Sequence, residues 1–131
     1  MQAVLYIEIT ESLDFSYEKP LLAYIQQCFP QVIQFDIDNH SDAMLVSYAI
    51  KLLEEANQVL LIVEAREGKT QTLLPFFEKL LVYQYKTLVV YNGNNAAADR
   101  YIHLVADERK RKDIPMEEAK TIIQAFFQSM P

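Results

Sequence analysis

The sequence predicts an α/β domain: a three-layer α/β/α sandwich around a five-stranded, mostly parallel sheet in the order 2-1-3-4-5. Short apolar segments alternate along the chain with segments of helical period, the pattern of strand and crossover helix. Two of the short segments, QVLLIVE at 58–64 and KTLVVY at 86–91, are apolar nearly throughout, as strands covered on both faces are. With 131 residues, 51% hydrophobic and 23% charged, the chain suits one domain, 1–131, large enough to fold without disulfides or metals.

The elements follow in order. Ala3 to Thr10 alternates Leu5, Ile7 and Ile9 against Val4, Tyr6 and Glu8, which makes it the first strand. Pro20 suits a first helical turn, and Leu21, Leu22, Ile25, Cys28 and Phe29 recur at helical spacing until Pro30 stops the pattern. Gln31 to Asp38 is the second strand. Ser41 is the expected N-cap of a helix from Asp42 to about Ala56, with a stripe of Leu45, Val46, Ala49, Leu52, Leu53 and Ala56. Met44, Tyr48 and Ile50 make that stripe wider than one sheet face needs. Thr70 to Tyr83 forms the third helix through Leu73, Leu74, Phe77, Leu80 and Leu81. Tyr101 to Ala106 is expected as the fifth strand, and the last helix carries Met116, Ala119, Ile122, Ile123, Phe126, Phe127 and Met130. Only nine residues separate Tyr91 from Tyr101, short of the roughly 10–12 that a crossover with its helix needs, so the fourth helix is expected to be one turn or absent. The order 2-1-3-4-5 is that of flavodoxin-like folds. No repeat, low-complexity stretch or linker divides the chain.

Composition excludes several functions. Eighteen acidic against twelve basic residues leave a net charge of −6, which repels phosphate backbones and disfavours nucleic acid as a partner. The cluster Arg109-Lys-Arg-Lys112 is flanked by Asp107, Glu108 and Asp113, which largely cancel its field. A lone Cys28 permits no internal disulfide, and no basic-then-apolar leader is seen, so the expected compartment is the cytoplasm. Apolar runs such as Val59 to Val63 fall far below the roughly 20 residues that span a bilayer, so no membrane partner is expected.

Gly68 and Gly93 are the only glycines, where average usage of about 7% predicts about nine. Loops that cradle phosphate with backbone N–H groups need glycine to let the backbone approach. The stretch EAREGKTQT ends like a phosphate-binding loop at Gly68, Lys69 and Thr70. Its first glycine, however, would fall at Val63, inside a strand. A tight turn with Thr70 as helix cap is the plainer reading, with Lys69 and Thr70 left as a candidate anion site at a helix N-terminus.

Asp36 and Asp38 share a strand face, and with His40 they are the candidate metal ligands; the competing reading is a polar face on a solvated edge strand. Glu8 and Glu64 end the first and third strands, which would be neighbours, and paired carboxylates with separated pKa values perform acid/base work. Glu78 lies on the third helix at the flank of its apolar stripe. In that position alone it resembles the catalytic glutamate of nucleoside deoxyribosyltransferases and Toll/interleukin-receptor type domains, which sits on the helix after the third strand. The resemblance implies N-glycosidic bond cleavage with Glu78 as the catalytic residue; Glu8 and Glu64 are catalytic candidates by their pairing at the strand ends.

Other motifs are missing. Cys28 has Gln34 six residues on, where a C-x5-R phosphatase needs arginine. Thr10-Glu-Ser-Leu-Asp14 lacks the glycine and hydroxyl-rich loop that holds a flavin phosphate, and no lysine follows the expected fifth strand before Lys110, as a phosphoacceptor receiver would need. Zinc spacing is absent, and His103 is expected in the fifth strand. No cofactor is implied. The leading expectation is a non-catalytic interaction or regulatory module that forms a homodimer or binds a protein partner. The alternatives are a small enzyme on a nucleotide-like or N-glycosidic substrate, and an anion- or metal-binding sensor.

Overall fold

A computed structural model describes residues 1–13 and 18–129; Asp14 and Met130 lie outside them. The elements run β1 (Gln2–Glu8), α1 (Pro20–Cys28), β2 (Ile33–Asp38), α2 (Ala43–Glu55), β3 (Gln58–Ala65), α3 (Leu74–Tyr83), β4 (Thr87–Gly93), α4 (Ala96–Leu104), β5 (Lys110–Lys112) and α5 (Met116–Gln128). The sheet order is β2-β1-β3-β4-β5, and every pairing is parallel. The expected order and three-layer architecture are both present.

Strand alternation divides the core in two. Leu5, Ile7, Leu61, Val63, Val89 and Tyr91 face α2, α3 and α4, whereas Val4, Tyr6, Leu60, Ile62, Leu88 and Val90 face α1 and α5. The apolar runs of β3 and β4 thus supply both cores, which is why neither strand alternates in hydropathy.

Several boundaries differ from expectation, the main ones for local reasons. Asp42, not Ser41, caps α2, accepting Leu45 N–H at 3.0 Å, while Ser41 Oγ accepts the N–H of Asp38. Thr70 makes no side-chain cap; a 3-10 turn over Gln71–Leu73 precedes α3, because Pro75 fits only a first helical turn and so places the start at Leu74. Residues 101–106 are not a strand. Tyr101 to Leu104 belong to α4, a nine-residue helix where one turn or none was expected; its N-cap Asn95 accepts Ala98 N–H at 3.1 Å and its buried Ala98 and Ile102 are one turn apart.

His103 therefore lies in the last helical turn. The true β5 is the basic cluster itself, pairing Lys110, Arg111 and Lys112 with Val89, Val90 and Tyr91. Lys110 Nζ donates to the carbonyls of Ile102 and His103 at 3.0 and 3.2 Å, so one strand cation closes the end of α4. A short, charged strand is how a sheet edge avoids pairing with other chains.

On α2, Val46, Ala49, Leu52 and Leu53 are buried and Ile50 packs partly against them. Leu45, expected in the stripe, is exposed together with Met44 and Tyr48. Among the described residues no helix is long and apolar enough to cross a membrane.

Candidate functional site

Parallel register aligns four polar residues in one row across the carboxyl end of the sheet: Asp38, Glu8, Glu64 and Asn92, on β2, β1, β3 and β4. All four follow the alternation that faces α1 and α5. Glu8 and Glu64, expected to be neighbours, are direct partners in this register. Glu8 is buried and Glu64 half-buried.

Asn92 Nδ2 donates to Glu64 Oε1 at 3.0 Å, while Asn92 Oδ1 is buried without a partner among the described residues. Burial holds the Glu64 carboxyl above its usual range, and Glu8 and Asp113 add to the rise; the Asn92 hydrogen bond and Arg66 oppose it. The Tyr6 phenol, one turn of alternation deeper, is also pushed up, first by burial and then by Glu64 and Glu8. Beside Glu64 a cleft of about 80 Å³ opens between the starts of α1 and α5, walled by Tyr6, Leu21, Asn92, Ile114 and Met116.

The other half of the strand ends is closed by the chain's own amides. In this strand order a ligand crevice is expected where β1 and β3 send their chains to opposite faces. Asn39 fills that place. Its Oδ1 accepts Thr10 N–H at 3.0 Å, and its Nδ2 donates to the Thr10 and Lys69 carbonyls at 2.8 Å each. Thr72 Oγ1 donates to the Asn39 carbonyl at 3.2 Å, and His40 Nε2 lies 3.1 Å from the Thr10 carbonyl.

Gly68 is required against this knot, since a Cβ there would lie 2.7 Å from the Thr10 carbonyl oxygen and 2.9 Å from Asn39 Nδ2. Asn95 continues the closure, donating to the carbonyls of Arg66 and Gly68 at 3.0 and 3.2 Å. Gly93 has φ +84°, and a Cβ there would fall 2.0 Å from the Ala65 carbonyl oxygen. Both glycines hold loops together at the strand ends; neither opens a phosphate cradle.

The candidate residues divide accordingly. Glu8 and Glu64 come together, but Glu78 is exposed on α3, across the sheet from the cleft. Lys69 is exposed and Thr70 buried, with the Lys69 carbonyl engaged by Asn39. Asp36 pairs with Lys19 at 2.6 Å, and Asp38 Oδ1 accepts the His40 N–H at 2.7 Å. Among the described residues no three His, Cys, Asp or Glu side chains are grouped to hold a metal ion. Sequence reasoning gave no individual role to Asn39, Asn92 and Asn95; their signal was asparagines at the strand ends, Asn92 within β4 and the other two in the loops that follow strands, where the side-chain amide can replace backbone partners.

Fold and site together define a parallel α/β domain with an amide-locked rim and one small acidic cleft. No protein-family model, curated protein or solved structure matches the chain.

Proposed function

We propose that the chain is a non-catalytic, regulatory interaction module of the cytoplasm that pairs with a second copy of itself through the outer flank of α2 and β2. The supporting observation is the apolar surface of that flank: Met44 is 79% exposed, Tyr48 49%, Leu45 44% and Ile33 40%. Phe35 packs edge-on against Tyr48 with ring centroids 4.7 Å apart, so β2 and α2 offer one continuous patch. Contiguous exposed apolar side chains on a folded domain mark an interaction surface. The Asn39 knot adds support, because it occupies the crevice where this strand order usually binds a ligand. The absence of cysteine pairs suits a reducing compartment.

The test replaces the patch at two points. Light scattering on the parent chain is expected to give a dimer mass, and the Met44→Asp/Tyr48→Asp variant a monomer with unchanged circular dichroism. A monomeric parent chain counts against the pairing.

The second reading, a small enzyme using Glu64 with Glu8, draws on the raised Glu64 pKa. The cleft volume of about 80 Å³ counts against a nucleotide-like substrate, since small-molecule pockets run about 300–1,000 Å³. The sensor reading would require Asp36, Asp38 and His40 to leave their present partners for a metal, or Lys69 and Thr70 to take an anion.

A further inference from the structure

We infer that the cleft beside Glu64 is a binding site for a small free organic cation, a short alkylammonium or alkylguanidinium. This goes beyond the pairing of two chains and does not depend on it, because the cleft lies on the α1/α5 face and the apolar patch on the α2/β2 flank.

Three observations carry it. The cleft is a real concavity of about 80 Å³ at the carboxyl end of a parallel sheet, where such folds place ligands. Its polar wall consists of Glu64 and Asn92, and the Asn92 amide retains an acceptor, Oδ1, without a donor among the described residues. Around the cleft, Glu8 and Asp113 add negative charge to that of Glu64; Arg66 opposes them, and Lys19, 5.3 Å over the Tyr6 ring, is paired with Asp36 at 2.6 Å, so the balance at Glu64 favours a cation. The walls beyond the carboxylate, Leu21, Ile114 and Met116, are apolar and suit a short alkyl stem. An ammonium or guanidinium head offers N–H donors to Glu64, and a charge-assisted bond to a half-buried carboxylate is the strong kind. The small volume sets the ligand class: a head with a few carbons enters, and a nucleoside does not.

The experiment is a titration of the whole chain followed by amide NMR. Propylammonium is compared with propionate and propanol, which are close to it in size, and propylguanidinium serves as a second, larger cation. Saturable shifts centred on Tyr6, Glu64 and Asn92 are expected with the cations only. Glu64→Gln should weaken binding about tenfold or more, the loss of one charge-assisted hydrogen bond. Glu55→Gln, far along α2, should leave it unchanged. Should Glu64→Gln fail to fold, Met116→Trp decides the matter: the larger side chain fills the cleft from its apolar wall, and the saturable cation shifts are expected to disappear. The inference is overturned if the cations produce no saturable shift, if propionate or propanol binds equally, or if Glu64→Gln or Met116→Trp leaves the affinity unchanged.

Discussion

Asn39 shows how one side chain can decide what a fold is free to do. Its amide bonds both backbone polar groups of Thr10 and the carbonyl of Lys69, three loop groups in a crowded place. Asn39→Ala is expected to cost about 2–4 kcal/mol, because buried donors and acceptors are left unmet; urea unfolding measures it, and a change within error of zero would show that water replaces the amide without loss. Glu64 makes a second prediction at this scale. Its folded-state pKa is raised, so its contribution to stability is intact below the ordinary glutamate range and is lost as pH rises through the raised value. Glu64→Gln removes this dependence, so the variant should gain on the parent chain between acid and neutral pH in parallel melts. A constant difference across that range would contradict the burial of Glu64. The pairing of Glu8 with Glu64 was legible from strand periodicity together with the expected sheet order, which makes the first and third strands neighbours. The Asn39 knot was not, because it depends on loop positions that no local pattern specifies.

At the scale of elements, the informative case is the stretch from Asn95 to Lys112. Read from Tyr101 onward it looks like an apolar strand; read from Asn95 it is a capped helix starting with three alanines. The second reading wins because Ala98 and Ile102 bury together on one helical face. The actual strand was hidden for a different reason: it is three residues long and wholly basic, and its periodicity is too short to register. Held by three residues at the sheet edge, β5 should exchange its amide hydrogens well before β3 in native-state hydrogen exchange, with the end of α4 opening alongside it because Lys110 joins the two. Equal protection of β5 and β3 would mean that the edge unfolds only with the whole domain. By contrast β3 and β4 were plain from sequence, since only burial on both faces explains such runs.

At the scale of the molecule, the sheet order was legible because the crossover rule and two fully buried strands leave few arrangements. The unpartnered flank was legible only in outline. Met44, Tyr48 and Ile50 looked surplus to one sheet face, but Ile50 packs partly against the core while Leu45, expected inside, is exposed. Each chain carries a net charge of −6, so two copies repel at long range while the apolar patch draws them together at contact. Pairing should therefore strengthen as salt rises and screens that repulsion. The most direct test is a dilution series of the unmodified chain, recording mass by light scattering and side-chain NMR signals together. The flank account predicts a mass that falls from two chains to one, with Phe35, Met44 and Tyr48 shifting in step and the strand-end asparagines unchanged. A single-chain mass at every concentration, with those three signals fixed, would contradict it.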